Sequence, residues 1–530
     1  MNRLFYLILV LGISYSQNTV ADEFYLNDAR AYRSSSDGLL SNIISEIVIQ
    51  GDSTVWLGTG RGISRVVDSL TITTLDTIST DIGTVVMNYG ISAITSEGNK
   101  VAFAAATSDN EVSVGAGIYV TSDATDSLIT WTYHPQPVDG QADSLAPFAD
   151  GFFRALPVTT DHQNVTYDAS MSGNYIWIAS WAGGIRRFDI LENAWDRIPL
   201  PIDGEEGLIT CADSVYETIS GKSVLKNFYL NPRDPSLGNH NHKGFSVLAY
   251  SDTIWVGTAN GINLGVVGSN GCIDWVHYFY PLDNVTGNFV VGLAKQDWNG
   301  VRKIWAACLN ADDPTEDRGL AWTDNDGLTW NRALVGERIY NVTAKDSIIL
   351  AASDKGLWKS EDGQTWALFK PAKDATPMQS DEILSDQIYA AVIDDRMYYS
   401  DPVIWIGTRD GLARSTDLDG SAWKIFRAEY DADEVYAYPN PFSPNSHNTM
   451  DGDGYVRIHT DVTTSFVIDL TVYNFAMEQV ISTQFDRRKN EGTLKWNGKD
   501  NNGRIVDNGT YFLSLNYDNK TEWVKLIVIK

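Results

Sequence analysis

Val55-Trp56-Leu57-Gly58-Thr59, followed by Gly62-Ile63, is a short apolar strand that runs into small residues and then into a glycine with an apolar neighbour. The pattern occurs seven times, and the central residues of the copies are Trp56, Phe103, Trp177, Trp255, Trp305, Leu350 and Trp405. Successive centres lie 47, 74, 78, 50, 45 and 55 residues apart, and the shorter intervals match one four-stranded propeller blade. The repeat therefore predicts seven β-propeller blades.

Each element of the repeat has a physical role. The Trp-type residue supplies a large apolar body between neighbouring sheets, the small residues allow close approach, and the glycine permits a tight turn. One such sheet cannot bury its own faces, so the repeats stabilise one another only in a closed ring. Separate hairpins in an ordinary sandwich are the alternative, and seven ordered copies argue against it. We expect the ring to span residues 22–430 and to be closed by N-terminal residues that pair with the last blade.

The N-terminus has the pattern of a secretory signal peptide. Arg3 precedes an apolar run from Leu4 to Ile13, and small residues near Ser16 and Ala21 suit signal peptidase. The run is too short for a permanent anchor, and no later stretch reaches the roughly 20 apolar residues of a transmembrane helix. We therefore expect residues 1–21 to be a signal peptide, and the mature protein to be secreted or on the bacterial cell surface without a transmembrane anchor.

Charge and cysteine content exclude several classes of function. The 530 residues include 68 acidic and 40 basic side chains, which gives a formal net charge of -28. Such a field repels phosphate, so nucleic acid and anionic membranes are not expected partners. The three cysteines, Cys211, Cys272 and Cys308, allow at most one disulfide and have no zinc-ligand spacing.

The first repeat resembles the propeller repeat of two-component regulator sensors. Asp37-Gly38-Leu39-Leu40-Ser41-Asn42 matches the opening of that repeat, and Trp56-Leu57-Gly58-Thr59 with Gly62-Ile63 matches its close. The copy around Trp405 matches nearly as well. The resemblance implies a propeller that recognises a ligand, often an extracellular saccharide in the sensors, although no kinase or response regulator follows here.

The fifth and sixth repeats resemble the Asp-box turns of sialidase-like, BNR-repeat proteins. Thr323-Asp324-Asn325-Asp326-Gly327-Leu328-Thr329-Trp330 carries the pattern, and Gly363-Gln364-Thr365-Trp366 is a shortened copy. The resemblance implies a structural turn, formed here by Thr323, Asn325, Gly327, Trp330, Gly363 and Trp366. In that family the side chains bond the turn backbone and the Trp packs into the blade.

The sequence pattern changes after Tyr430. Tyr438-Pro439-Asn440-Pro441-Phe442 is rich in proline, and we expect residues 431–446 to be an extended linker. Alternating apolar strands with Asn/Gly turns then predict a β-sandwich over residues 447–530. With a motif beginning at residue 435, this part resembles the Ig-like domain of flagellar hook-capping proteins and the C-terminal sorting domains of type IX secretion cargo. The resemblance implies sorting, surface attachment and the secretion machinery as a partner. The expected fold class is all-β: a seven-bladed propeller followed by a small Ig-like sandwich.

Candidate ligand-binding residues follow from propeller geometry. The turns after the Trp-type strands gather on one face around the channel, and exposed Trp, Arg and Asp suit a sugar ring and its hydroxyls. The residues expected to ring this mouth are Arg61, Trp181, Asn260, Lys355, Arg409 and Asp410. The alternative is that each is a solvated turn residue. The long intervals before Trp177 and Trp255 are expected to add loops on the same face, which carry Phe152-Phe153-Arg154, Asp161-His162 and Asn239-His240-Asn241-His242.

Neither a metal nor another cofactor is expected. The two His at positions 240 and 242 have no identifiable third ligand. The acidic turns Asp451–Gly454 and Asp500–Asp507 supply oxygens that calcium would accept, but they lack the EF-hand spacing and contain the residues that turns require anyway.

The sequence predicts an exported, non-enzymatic propeller that binds a glycan or a protein at its mouth. The nucleophile-elbow, zinc-protease and Walker motifs are absent. One alternative is a carbohydrate-active hydrolase or lyase that uses Asp410 or another mouth carboxylate, and another is a structural or adhesion protein of the surface. Paired carboxylates facing a cavity would favour the enzyme, whereas an open polar ring with aromatic residues would favour binding.

Overall fold

The computed structural model describes residues 38–109, 112–126, 128–140, 144–160, 164–232, 239–311, 313–369, 382–428, 435–460, 466–489 and 493–530. The expected signal peptide at 1–21 and the predicted loop residues 161 and 162 lie outside this part of the chain. No helix long and apolar enough to cross a membrane occurs among the described residues.

The first two blades are antiparallel sheets in which consecutive strands pair. Blade 1 contains β1 (Ile44–Gln50), β2 (Thr54–Thr59), β3 (Ile63–Val66) and β4 (Ile72–Leu75). The hairpin β5 (Thr77–Thr80) and β6 (Gly83–Val86) is added to the outer edge of blade 2, where β5 pairs in parallel with the last strand. Blade 2 itself comprises β7 (Gly90–Glu97), β8 (Lys100–Asp109), β9 (Val112–Thr121) and β10 (Thr130–His134).

Blades 3 and 4 carry an additional sheet in place of the expected loops. Two strands precede blade 3: β11 (Ser144–Phe148) and β12 (Gly151–Ala155). Blade 3 itself comprises β13 (Asp168–Ser172), β14 (Tyr175–Ser180), β15 (Gly184–Asp189) and β16 (Ala194–Arg197). Three strands follow it: β17 (Gly207–Leu208), β18 (Tyr216–Ile219) and β19 (Lys222–Leu230). Blade 4 follows with β20 (Gly244–Tyr250), β21 (Thr253–Thr258), β22 (Gly261–Val267) and β23 (Ile273–Tyr278), and β17 pairs with its outer strand.

The additional sheet has the order β11-β12-β19-β18 and shares one hydrophobic cluster with blades 3 and 4. It is not an eighth blade, because β13 and β20 contact each other directly. The prediction of extra loops was therefore wrong for residues 152–154, which lie on β12. Phe153 of that strand is fully buried, because its apolar side chain packs between the sheet and the blades.

Blades 5 to 7 have four strands each. They comprise β24 (Phe289–Trp298), β25 (Val301–Leu309), β26 (Gly319–Thr323), β27 (Asn331–Ala333), β28 (Ile339–Lys345), β29 (Ile348–Ser353), β30 (Gly356–Ser360), β31 (Ala367–Phe369), β32 (Ile388–Asp394), β33 (Val403–Thr408), β34 (Gly411–Ser415) and β35 (Trp423–Phe426). All seven Trp-type positions lie on the second strand of their blade: β2, β8, β14, β21, β25, β29 and β33. The predicted seven-bladed propeller is confirmed.

The ring closes between blades 7 and 1. The four described strands of blade 7 come from residues 388–426, and most of the N-terminal segment that was expected to pair with that blade lies outside the described residues, so this expectation stays a prediction. Arg396 connects the two blades at this seam. Its fully buried guanidinium pairs with Asp394 at 2.9 Å and donates to the carbonyl oxygens of Ser53 and Val66 in blade 1. Asn42 bonds the backbone of residue 428 from the other side.

Tryptophan side chains bridge neighbouring blades. Three residues from the outer part of one blade pack edge-on against the Trp of the preceding blade: Trp131 on Trp56 at 6.0 Å, Trp330 on Trp255 at 6.1 Å and Trp366 on Trp305 at 6.2 Å between ring centroids. Burial of such large apolar rings is the main source of inter-blade stability. The indole N–H groups of the three second-strand residues are satisfied, for example by donation from Trp56 to the Gln50 side chain at 2.9 Å, whereas those of Trp330 and Trp366 are buried without a hydrogen-bond partner among the described residues.

The turns that resemble Asp boxes are built on their own side chains. Asn325 accepts the N–H of Thr329 at 2.9 Å, and Asp362 accepts the N–H groups of Gln364 and Thr365, each at 2.7 Å. Gly363 has φ +76°, and a Cβ there would lie 2.8 Å from Cη2 of Trp305. The glycine thus serves both the turn and the approach of the neighbouring blade.

The C-terminal residues form two sheets around one hydrophobic core. The first sheet contains β36 (Tyr436–Tyr438), β37 (Val456–His459) and β40 (Lys495–Trp496), and the second contains β38 (Val467–Tyr473), β39 (Gln479–Asp486), β41 (Gly509–Tyr517) and β42 (Lys520–Val528). The expected linker at 431–446 belongs to this unit from residue 435 onward, because β36 pairs with β37 and Phe442 is fully buried in the core. The Ig-like assignment stays a prediction. Short 3₁₀ turns occur at Asp213–Val215, His240–His242 and Arg487–Lys489.

Two of the three cysteines are bonded. Cys211 and Cys272 form a disulfide with their Cα atoms 5.2 Å apart. It ties the segment after blade 3 to blade 4, beside the hydrogen bonds between Thr210 and Ile273. Cys308 is a buried free thiol, and burial raises its pKa to about 12.

Replacement of Gly363 by alanine tests the packing between blades 5 and 6. We expect Gly363→Ala to lower the free energy of unfolding by about 1–3 kcal/mol more than Gly173→Ala. The control glycine also has a positive φ, +63°, but no atom lies within 4 Å of its Cβ position. Both variants therefore carry the backbone cost of about 1 kcal/mol, and only Gly363→Ala meets Trp305. Denaturant unfolding followed by tryptophan fluorescence measures the difference, and equal losses would contradict the packing role.

Candidate functional site

The predicted site residues lie in the turns between the second and third strands of their blades. Consecutive antiparallel strands put all of these turns on one side of the ring, which we call the mouth face. In four blades the last hydroxyl of the second strand fixes the turn: the side chains of Thr59, Thr258, Ser353 and Thr408 donate to the carbonyl three residues on and accept the N–H two residues on. The residues whose N–H groups are held in this way are Arg61, Asn260, Lys355 and Asp410.

Most of these side chains have partners within the propeller. Arg61 donates to Asn88 at 3.1 Å, and Lys355 pairs with Glu337 at 2.7 Å. The carbonyl of Asn260 lies 2.6 Å from Nε2 of His277, which is buried. The turns share the mouth face, but none of these three residues lines the channel cavity described below.

Trp181 borders a separate cavity of about 430 Å³ with Lys243, whose ammonium group lies 6.0 Å from the indole centroid. The 3₁₀ turn at His240–His242 forms another wall. His242 is buried, and burial lowers its pKa to about 4. Thr160 and Pro232 also line this space, and each precedes residues outside the described part of the chain, so we assign no ligand there.

Asp410 does not serve as an open mouth residue, and this prediction was wrong. Its side chain is 1% exposed and forms ion pairs with Arg427 at 2.8 Å and with Arg457 at 2.6 Å. Burial alone would raise the pKa of Asp410, but the two arginine charges outweigh it and hold that pKa below its usual value. The carboxylate is thus a permanently charged structural group, and the alternative of a hydrolase acting through Asp410 fails.

Arg457 belongs to the C-terminal unit, so Asp410 is part of a docking interface on the mouth face. Glu382, in the segment before blade 7, pairs with Lys495 of the C-terminal unit at 2.5 Å. Asp386 of the same segment accepts the N–H of Asp451 at 2.8 Å. Arg409 lies at this interface too: burial lowers the pKa of His447, and the charge of Arg409 lowers it further. Buried ion pairs therefore connect the propeller and the C-terminal unit.

A cavity of about 230 Å³ occupies the central channel. It is lined by the first strands of all seven blades near their mouth-face ends. In six blades the pairing of this strand contains a bulge or irregularity at the same place, and the extra residues are Ser45, Ser92, Phe245, Val291, Tyr340 and Tyr389. Tyr167 takes the corresponding place directly before β13. Bulges re-aim side chains, and all seven of these residues line the cavity.

Aromatic rings and carboxyl groups define the chemistry of the channel. Tyr167 and Phe245 from blades 3 and 4 form one ring pair, and Tyr340 and Tyr389 from blades 6 and 7 form another, each with centroids 5.8 Å apart. Glu46 on β1 and Asp168 on β13 line the same space.

Both channel carboxyls favour the protonated form. Burial, and then the charge of Asp168, raise the pKa of Glu46 to about 8. Burial raises the pKa of Asp168 to about 7, although this carboxyl accepts the N–H groups of Val247 and Ala169, each at 2.8 Å. Carboxyls with perturbed pKa values in a cavity are candidates for a functional site.

The sequence contained a signal for these residues that motif reasoning missed. The first strand of a propeller blade lies next to the central channel and is largely buried, so an acidic residue inside Ile44–Gln50 is unusual. Glu46 interrupts an apolar run there, and Asp168 follows Tyr167 in a similar setting. The repeat was aligned on the second strand, which does not reach the channel.

The acidic turns considered for calcium use their carboxylates internally. Asp453 pairs with Lys499 at 2.5 Å, and Asp500 accepts the N–H groups of Asn502 and Arg504. Over the described ranges, no group of three or more His, Cys, Asp or Glu side chains could hold a metal ion.

No protein-family model matches the sequence, and no curated protein matches it. Solved structures match at low identity. PorZ, an essential bacterial surface component of the type-IX secretion system of Porphyromonas gingivalis, is 11% identical, and the match covers 92% of this chain and 87% of PorZ with a TM-score of 0.26. The GH74 enzyme of Niastella koreensis is 10% identical over 94% of this chain and 74% of the enzyme, with a TM-score of 0.44. The extracellular domain of the putative hybrid two component system BT4673 from B. thetaiotaomicron is 10% identical over 94% of this chain and 82% of that domain, with a TM-score of 0.26.

These scores carry no argument about ligand or activity. The resemblances to regulator-type repeats, Asp boxes and sorting domains stay predictions.

The raised pKa of Glu46 makes the stability of the propeller depend on pH. Between its ordinary value of 4.5 and about 8, the folded protein holds a proton that the unfolded chain has released, so stability falls as the pH rises through this window. Glu46→Gln removes the effect. We expect the free energy of unfolding of the variant, relative to that of the wild type, to increase from about pH 5 to about pH 8. Above about pH 8 this difference, the margin, should stay constant. Urea unfolding at several pH values measures the margin, and exposed Glu192→Gln is the control. A margin that shrinks as the pH rises would contradict the assignment.

Proposed function

We propose that this chain is an exported, non-enzymatic binding propeller that receives one end of a glycan or protein ligand in its central channel. The carrying observation is the channel cavity, where four aromatic rings and several polar groups converge from different blades. Aromatic faces stack on apolar faces of sugars, while hydroxyl, amide and carboxyl groups bond their polar edges. Asn341, Ser92 and Ser170 supply such groups here.

The size of the cavity favours a terminal group over a polymer chain. Its volume of about 230 Å³ lies below the roughly 300–1,000 Å³ of typical ligand pockets. Inner strands from every blade surround this space, so a ligand enters by one end. A long glycan would place its terminal unit in the channel and the rest against the mouth face, near Arg61 and Lys355.

The disulfide supports an exported protein. Disulfides persist in oxidising compartments and are rare in the cytosol, and Cys211 and Cys272 are bonded here. The signal-peptide pattern of residues 1–21 points the same way. We therefore propose that the protein acts in the medium or on the cell surface.

The enzyme alternative has a specific observation in its favour, because Glu46 and Asp168 are carboxyls with raised pKa values in one cavity. Size argues against it. A glycosidase must hold the scissile oxygen and the groups on both sides of it between two carboxylates. A cavity for one terminal group suits recognition better than cleavage. The bonding of Asp168 also argues against a catalytic role, because both of its carboxylate oxygens already accept backbone N–H groups.

A glycan array probed with the mature protein tests the binding function, followed by titration of each hit. We expect Tyr389→Ala to weaken binding roughly tenfold or more, equivalent to about 1.4 kcal/mol, because it removes one stacking ring from the channel. The control is Tyr229→Ala, an exposed tyrosine on β19 away from the cavity. Equal glycan affinities of the two variants would show that the ligand does not bind in the channel. Cleavage of a bound glycan that Glu46→Gln abolishes would instead establish the hydrolase.

The C-terminal unit is proposed to direct export and surface attachment, on the strength of its sequence resemblance. We expect deletion of residues 435–530 to leave the signal peptide functional and to retain the propeller in the periplasm. The deletion also removes Arg457 and Lys495 from the buried Asp410 and Glu382, so the truncated propeller should be less stable. Cell fractionation and protease protection measure its location.

The matched control for that deletion is the full-length double variant Arg457→Ala, Lys495→Ala, which loses the same ion pairs but keeps the unit. Export of the double variant with retention of the truncated form would support a sorting role. Equal export of both would eliminate it.

A further inference from the structure

The charge of the central cavity is unbalanced. Glu46 and Asp168 line it, whereas no lysine, arginine or histidine occurs among the described residues of its wall. Two other buried carboxylates, Asp410 and Asp394, have arginine partners. The wall of the cavity supplies no such partner to Glu46 or Asp168.

The ionisable groups around the carboxyls are few. Facing the cavity from the first strands of all blades are only Glu46, Asp168, Tyr167, Tyr340 and Tyr389. The guanidinium of Arg338 lies 5.4 Å from the centroid of the Tyr340 ring, and its charge also acts on Asp354. It is a neighbour of the cavity and not part of its wall.

Aromatic rings complete a cation-binding environment. The faces of tyrosine and phenylalanine are negative, and cations within about 6 Å of a ring centroid are attracted to them. The ring pair Tyr167 and Phe245 and the ring pair Tyr340 and Tyr389 border the same space as the two carboxyls. Arg338 on Tyr340 already demonstrates such a contact at the edge of the site.

We infer that the channel cavity selects a ligand group that carries an organic ammonium, held between the two carboxyls and the aromatic rings. This rests on the proposed binding function and names the chemistry of the ligand end that enters. An amino sugar and a quaternary ammonium head group share this chemistry. A bare divalent cation is a poorer fit, since calcium takes six to eight oxygen ligands and aromatic rings supply none.

Cation binding and carboxyl ionisation are coupled. Without ligand Glu46 holds its proton at neutral pH, because burial disfavours its charge. An ammonium that enters replaces the proton on Glu46, so binding releases a proton to the buffer. Affinity for a cation of fixed charge should then rise as the pH increases toward 8.

Calorimetry on the full mature chain tests the inference, with choline as the probe of fixed charge and with glucosamine and N-acetylglucosamine as a charged and an uncharged sugar. All titrations are run at about 0.15 M salt, where exposed charges of this acidic protein are largely screened. We expect choline affinity to rise at least fivefold from about pH 6 to about pH 8, with proton release seen in buffers of different ionisation enthalpy. Glucosamine should bind at least tenfold more tightly than N-acetylglucosamine at pH 7.

Variants separate the channel from the rest of the acidic surface. Glu46→Gln should abolish the pH dependence of choline affinity and weaken choline binding at pH 8 at least tenfold. The exposed control Glu192→Gln should change neither quantity. Tyr389→Phe, which keeps the ring, should retain more of the choline affinity than Tyr389→Ala, which removes it.

Three results would overturn the inference. The first is channel binding of neutral sugars without a preference for the amine, which leaves the proposed function intact. The second is ammonium binding that Glu46→Gln and Tyr389→Ala do not affect, which places the cation elsewhere. The third is the absence of any ligand sensitive to Tyr389→Ala, which removes the inference and the proposed function together.

Discussion

Closure of the ring is the constraint on which the whole propeller depends. A four-stranded sheet has two faces to bury, and each blade buries them only against its two neighbours. Six of the seven contacts join sheets that follow each other in the chain, but the contact between blades 7 and 1 brings together residues more than three hundred positions apart. Arg396 makes that contact polar and directional, because its guanidinium neutralises Asp394 and fills the bonding needs of carbonyl groups in blade 1. Asp394 in turn accepts the indole N–H of Trp405, which links the seam to the Trp-type repeat.

The sequence was informative where a residue type has one structural use. A large aromatic residue or leucine followed by small residues and a positive-φ glycine fits a packed strand before a tight turn, and all seven such positions lie on second strands. Residues with several uses were placed correctly and interpreted wrongly. Asp410 is in the expected turn, but its role depends on Arg427 and on Arg457, which is 47 residues away in another unit. The proline-rich segment at 435–446 indicated an extended chain, and the hydrophobic Phe442 within it decides that the segment packs.

Long-range partners also explain why the channel was not found from sequence. The cavity takes one to four residues from each blade, so its members are separated by whole repeats and form no single local motif. A register irregularity in the first strand determines which residues face inward, and such irregularities have weak sequence signatures. Once the sheets are in place, Glu46 of blade 1 and Asp168 of blade 3 line the same channel as the tyrosines of blades 3, 6 and 7. The docking of the C-terminal unit is equally non-local, since it rests on ion pairs between blade 7, the segment before it and strands β37 and β40.

The hydroxyl groups that close the mouth-face turns have a consequence for how this surface can change over evolutionary time. Each turn is held by backbone atoms and by the strand-end Thr or Ser, so the side chains at the two intervening positions contribute little to folding. Substitutions at positions such as 61, 260 and 355 should therefore change the stability of the fold little. Selection for ligand binding can act on these positions almost independently of selection for folding. Position 410 has lost this freedom, because the C-terminal unit docks on it. Blade 7 is the one sector of the mouth face where diversification and structural integrity are in conflict, and homologues with other ligands should differ least there.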